Sequence, residues 1–284
     1  NRIWGILEKM SYRNLNKSDQ DFIYQTKIME IKNWVAILAD CLEFMRTIPD
    51  GSIDAIITDP PYWTTACKWD NIIPFEPMWE QLNRVIKKNW AIVLFGSEPF
   101  SSALRMSNIK NYKYDWIWEK ERPTNIFWMK NAPWKVHENI SVFSESKHNY
   151  HPIMGLTKNV AANKIRVRKW EEKMIEHIWW SIKPSNTYNP ETIYPRSILK
   201  YSRGTRTKNN KFHPTQKPVA LIEYLIKTYT NEWETVLDFT MWSGTTWVAC
   251  KNTNRNFIWF ELDKWYFDIA QERIKLSDCQ CEVQ

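Results

Sequence analysis

The chain has 284 residues, 43% of them apolar and 25% charged, enough to bury a core and too apolar for a disordered polymer. No window approaches 18 uninterrupted apolar residues, which excludes a transmembrane helix, and five cysteines without paired spacing argue against a metal centre or disulfide framework and for reduced thiols in a cytoplasm. The net charge of +7 is unevenly spread: residues 147–212 hold 14 Lys/Arg against four Asp/Glu, so the rest of the chain carries −3, a distribution suited to a polyanionic partner.

Residues 1–30 read as an N-terminal extension. They lack the basic head and apolar stretch of a secretory signal, and Met10 is a candidate start. Val35–Asp40 reads as a buried strand ending in an acid, Cys41–Thr47 as a helix, and Pro49-Asp50-Gly51 as a turn. Asp54–Asp59 is a second strand, stopped by Pro60-Pro61. Phe75–Lys88 has helical periodicity, and Ala91–Phe95, Tyr114–Trp118 and Ile140–Phe143 read as strands. His137-Glu138, just before the last of these, reads as a strand cap rather than an acid–base pair.

Between 147 and 212 the pattern breaks up into polar, basic sequence, read as an inserted recognition region with loops. Pro218–Tyr229 is an apolar-striped helix with proline in its first turn. Thr235–Asp238 is a strand, a helix starts at Thr245, Phe257–Glu261 is a strand and Lys264–Leu276 a helix. The alternation predicts an α/β fold with a doubly wound, mainly parallel sheet of seven strands. Residues 31–146 and 213–276 form its two halves, 147–212 the insertion and 277–284 a tail. In such sheets ligands sit at the carboxyl ends of strands, near the topological switch.

Glycine and tryptophan are out of proportion. Ordinary usage would give roughly 20 glycines in this length, yet there are 6, with 18 tryptophans. Asn33-Trp34 and Asn89-Trp90 each precede an apolar run where Asn-Gly would make a turn. The codon UGA, a stop in the standard code, is read as tryptophan by some organisms and as glycine by others. Trp34, Trp63, Trp90, Trp128, Trp170, Trp179, Trp180, Trp233, Trp242, Trp247, Trp259 and Trp265 are accordingly read as glycine positions, and Trp69, Trp79, Trp116, Trp118 and Trp134 as true tryptophans.

Three motifs carry chemistry. Asp59-Pro60-Pro61-Tyr62 ends a strand. A carboxylate and a proline-fixed carbonyl there can accept the N–H groups of an exocyclic amine, whose lone pair is otherwise delocalised into its ring, and Tyr62 can stack on a base that has left the duplex. Asp238-Phe239-Thr240-Met241-Trp242-Ser243-Gly244-Thr245 is a strand end, a tight loop and a helix start. With glycine at 242 the loop becomes Gly-Ser-Gly and can close around a nucleoside cofactor. Glu261, at the end of the next strand, is placed to accept ribose hydroxyls. The third motif, His213-Pro214-Thr215-Gln216-Lys217-Pro218, reads by itself as a capped helix start.

Together, in this order and with the basic region between the first and the other two, these motifs resemble the beta class of DNA amino-methyltransferases of restriction–modification systems and phages, over roughly residues 33–275. The resemblance implies site-specific methylation of double-stranded DNA from S-adenosylmethionine, at N6 of adenine because an aspartate heads the tetrad, with N4 of cytosine as the alternative. It makes Asp59, Pro60, Pro61 and Tyr62 the catalytic tetrad. Phe239, the loop Trp242–Thr245 and Glu261 would hold the cofactor, with Asp59 and Asp238 beside it. His213, Thr215 and Lys217 would close over its methionine end, and Asp40 would lie near its adenine. Lys164, Arg166, Arg168, Arg203, Arg206 and Lys208 are candidate DNA contacts. A cognate endonuclease, and a monomeric or homodimeric state, are the accompanying expectations. A genuine Trp242 would place its indole in the cofactor's space and leave a DNA-binding protein deficient in cofactor.

Overall fold

A computed structural model describes residues 27–31, 34–63, 71–124, 130–157, 191–202, 216–242 and 244–279. Five strands run parallel at the centre. Trp34–Leu38 (β2), Asn256–Glu261 (β11), Thr235–Asp238 (β10), Ile53–Thr58 (β3) and Ile86–Gly96 (β4) lie side by side in that order. Their side chains are buried along most of their length, as a sheet covered on both faces requires. Next to β4, His137–Phe143 (β6) and Tyr112–Glu119 (β5) add as antiparallel strands.

Apolar residues alternate between two cores. On one side Ala36, Ile57 and Phe257 pack under Val219–Tyr229 (α4), Thr245–Asn252 (α5) and Lys264–Cys279 (α6). On the other, Ile37, Ile56 and Ile258 pack under Cys41–Met45 (α1), Phe75–Val85 (α2) and Phe100–Ser107 (α3). The doubly wound α/β sheet is thus as expected, but among the described residues it has nine strands where seven were expected. Lys27–Ile31 (β1) pairs antiparallel with β2, and Ile198–Lys200 (β9) pairs parallel with β5. Both are edge strands, the second only three residues long within a basic, aperiodic stretch, so neither has the apolar run that marks a central strand.

Two further differences have the same kind of cause. The helix α3 buries Phe100, Ser101 and Leu104 only, a stripe too short to register as periodic. Strand β4 begins five residues before the expected Ala91, because its first residues include the polar Lys87, Lys88 and Asn89 and are only half-buried or exposed. The compact units of the fold do not follow the expected 147–212 bounds. Ile198–Lys200 belongs to the main sheet, and His151 N–H donates to Thr228 O at 2.8 Å. Pro152–Arg196 is a compact unit of its own, in which Gly155–Leu156 (β7) pairs antiparallel with Thr192–Ile193 (β8).

Candidate active site

Strands β3 and β10 are neighbours, with Val236 opposite Ala55 and Leu237 opposite Ile56. From β3 the chain crosses to β4 on one side, and from β10 to β11 on the other. Their carboxyl ends therefore form the topological switch, where a doubly wound sheet opens a crevice. Asp59 leaves one end and Asp238 terminates the other. Thr58 Oγ1 donates to Asp238 Oδ1 at 2.6 Å, and Thr240 Oγ1 donates to the Asp59 carbonyl at 3.1 Å. The two loops named in the sequence are thus joined on one face of the sheet.

Pro60 and Pro61 are buried and Tyr62 is half-buried. Tyr62 donates its hydroxyl to Asp59 Oδ1, and its ring lies 5.2 Å from that of Phe100 at 30°. Lys217 donates to Asp59 Oδ2. Behind Lys217 stands Glu138, 3.4 Å from its ammonium, and behind Glu138 stands Lys120 at 2.8 Å. The four side chains form a chain of alternating charge, with Lys217, Glu138 and Lys120 at most a tenth exposed. Buried charges persist only when paired in this way.

Burial raises the Asp59 carboxyl above the ordinary aspartate range, and Glu138 adds to the rise against the opposing pull of Lys217 and Tyr62. Burial works against the charge of Lys217, yet Asp59 and Glu138 hold its ammonium above the usual lysine value. Sequence reasoning missed Glu138 and Lys120. Glu138 is not a cap but the second residue of β6, and only the packing of β6 beside β4 brings it under Lys217.

On the other side of the crevice, Asp238 is buried and its carboxyl is pushed up to about 6, mainly by burial, with Asp59 adding to the rise. Glu261 ends β11. Its Oε2 accepts the backbone N–H of Trp242 and its Oε1 that of Asp263, each at 2.9 Å. Burial raises its carboxyl to about 7. Gly244 starts α5 in the left-handed region at φ +75°, and Thr245 is buried on its first turn.

The remaining expected residues fall in different places. Phe239 is 1% exposed, in the core with Phe260, and does not line the crevice. Asp40 caps α1 by accepting from Leu42 N–H at 2.8 Å, beside the point where Ala39 N–H meets Glu261 O. Lys217 points at the Asp59 carboxylate. His213, Thr215, Ser243, Lys164, Arg166, Arg168, Arg203, Arg206 and Lys208 lie outside the described residues.

A family model for DNA methylases matches residues 53–272, from the first residue of β3 into α6. The chain belongs to the DNA methylase family. Among relatives of this methylase, the type II methyltransferase M.HpaI of Haemophilus parainfluenzae is 27% identical over 84% of this chain and 73% of its own. M2.DpnII of Streptococcus pneumoniae is 26% identical over 96% of both. Among solved structures, the complex of M1.HpyAVI with S-adenosylmethionine superposes with a TM-score of 0.53 at 27% identity, over 84% of this chain and 98% of that one. The PvuII DNA methyltransferase, cytosine-N4-specific, gives 0.60 at 18% identity over 85% and 86%, which bears on the fold. The beta-class DNA amino-methyltransferase expected from the motifs is therefore the family found, and its cofactor is S-adenosylmethionine.

Among the described residues, the crevice has little room for that cofactor. Trp242 lines the crevice, and its indole N–H donates to the Asp59 carbonyl at 2.7 Å. The space left among Asp59, Lys217, Asp238, Thr240, Trp242 and Thr245 is about 20 Å³. That holds one water, whereas ligand pockets run to roughly 300–1,000 Å³. The Trp242 indole stands among the polar groups of the crevice. Among the described residues there is no cluster able to hold a metal ion, and no helix long and apolar enough to cross a membrane.

Proposed function

We propose that the protein methylates N6 of adenine in double-stranded DNA at a specific site. The single observation that carries this reading is the Asp59 carboxylate at the switch point, with one oxygen held by Lys217 and the other by a displaceable tyrosine hydroxyl. An incoming amine replaces the Tyr62 hydroxyl on Oδ1 while Lys217 keeps Oδ2 in place. The Pro60 carbonyl, whose residue has its φ fixed by its ring, takes the second N–H. Both acceptors draw on the amine hydrogens and localise the nitrogen lone pair, so the acceleration comes from position and charge. Tyr62, released from Asp59, stacks on the extruded base. When the amine has gained its methyl it must lose a proton, and a carboxyl raised by burial is suited to accept it at Oδ1. S-adenosylmethionine supplies the methyl group.

An aspartate at the head of the tetrad favours adenine over cytosine. The basic segment 147–212 would hold phosphates, with Lys164, Arg166, Arg168, Arg203, Arg206 and Lys208 the proposed contacts. The experiment is to incubate DNA with labelled S-adenosylmethionine and the chain carrying glycine at 242, digest it to nucleosides and identify the labelled one. N6-methyladenine supports the reading, and N4-methylcytosine replaces it with the cytosine alternative. The filled crevice favours a second reading for the chain with tryptophan at 242, a DNA-binding protein without cofactor affinity.

A further inference from the structure

We infer that positions 63, 233 and 242 are glycine positions, and that the functional methylase carries glycine there in place of tryptophan. At 242 this exchange opens the cofactor site, and that part rests on the methyltransferase reading. At 63 and 233 the inference stands apart from function.

The backbone carries it. Among the described residues, five other than glycine have positive φ: Asn89 at +64°, Asn254 at +58°, Trp63 at +57°, Trp233 at +65° and Trp242 at +53°. Asparagine is the side chain that tolerates this left-handed region, glycine enters it freely, and a bulky residue there is an outlier. Strained backbone persists where packing over-determines it. Trp63 is 74% exposed and Trp233 57%, so neither is held by a core.

Three of the tryptophans read as genuine behave differently, while Trp134 is 58% exposed. Trp79, Trp116 and Trp118 have ordinary backbone and are buried, and their indole N–H groups donate to Ser107 Oγ at 2.7 Å, Tyr229 OH at 2.6 Å and Tyr201 O at 2.9 Å. Every positive-φ tryptophan falls in the set singled out from the sequence. Two others of that set, Trp247 and Trp259, bury indole N–H groups that have no hydrogen-bond partner among the described residues, which a true core tryptophan rarely does.

Trp242 adds a functional conflict. Its backbone N–H donates to Glu261, while its indole lines the crevice and donates to the Asp59 carbonyl. One cause covers all three positions. A UGA codon read as glycine in the source cell is written as tryptophan when it is read by another code, and it exchanges these two residues and no others.

The first test is the gene and the native protein. UGA is expected at codons 63, 233 and 242 and UGG at 79, 116 and 118, with the glycine mass in native peptides covering the first three. UGG or a tryptophan mass at those three overturns the inference. The second test is on the expressed chain. Alanine normally outranks glycine in stability, but at positive φ the order reverses. Trp233→Gly should therefore unfold about 2–4 °C above Trp233→Ala, and the opposite order overturns the assignment at 233. The third is calorimetry with S-adenosylhomocysteine: Trp242→Gly should bind it at least tenfold tighter than the chain with tryptophan. Native glycine at 242 together with no binding by Trp242→Gly would leave the residue assignment standing and reject the methyltransferase reading instead.

Discussion

The hydroxyl of Thr58 donates to the carboxylate of Asp238 at 2.6 Å, and this bond ties the strand end that bears the Asp-Pro-Pro-Tyr motif to the strand end that opens the cofactor loop. The two residues are 180 positions apart in the chain. They meet because the sheet reverses its winding direction between β3 and β10. A methyl donor at one loop and an amine at the other would be neighbours, as transfer requires.

Tyr62 has two duties that a substitution separates. Its hydroxyl occupies Asp59 Oδ1 in the free protein and its ring is the proposed stacking surface. In the Trp242→Gly chain, Tyr62→Phe keeps the ring and frees the carboxylate, so kcat should stay within a few-fold. Tyr62→Ala removes stacking worth about 1–3 kcal/mol per base and should lower kcat/KM about tenfold or more. Steady-state methylation of a target duplex reads both. Equal losses in the two variants would show that the hydroxyl, not the ring, is what matters.

On the proposed mechanism, Glu138 is a positioning residue that works through Lys217. Its negative charge raises the Asp59 carboxyl, so Glu138→Gln should lower that value and move the acid limb of the kcat/KM profile to lower pH. A merely structural change would reduce the rate at every pH and leave the limb in place. Breaking a buried ion pair costs about 3–5 kcal/mol, so Glu138→Asp, which keeps the charge, serves as the folded control and should retain the original limb.

Glu261 makes stability depend on pH with a definite sign. Its folded value of about 7 lies above the ordinary 4.5. Between these pH values the native protein keeps a proton that the unfolded chain has released. Raising the pH through this window therefore lowers stability, by an amount on the order of a few kcal/mol. Asp238, raised to about 6, contributes in the same direction. Urea unfolding at pH 5 and pH 8 should show the lower midpoint at pH 8, and Glu261→Gln should flatten the difference. A midpoint that rises with pH for the parent chain would contradict the sign.

Much of the site was legible because its parts are local strings. Asp59–Tyr62 and Asp238–Thr245 each follow a strand recognisable from its apolar run, and Glu261 ends a third. Lys217 was visible as a motif residue but not as the partner of Asp59, which lies 158 positions away. Glu138 and Lys120 were illegible for a similar reason: their pairing depends on β5 and β6 being adjacent and antiparallel, and no short pattern encodes it. The edge strands Lys27–Ile31 and Ile198–Lys200 are short and carry only two or three apolar residues each, too few to mark a strand. The anomalous tryptophans were the opposite case. Composition and local context marked them, and the sign of φ then separated three of them on conformational grounds.

The most direct measurement compares Trp242→Gly with the double variant Trp242→Gly/Asp59→Ala on one DNA substrate, scoring methyl incorporation and DNA affinity together. The single variant should methylate. The double variant should bind DNA with the same affinity and lose incorporation by about a hundredfold or more. Undiminished methyl transfer without the Asp59 carboxylate would contradict the role given to it.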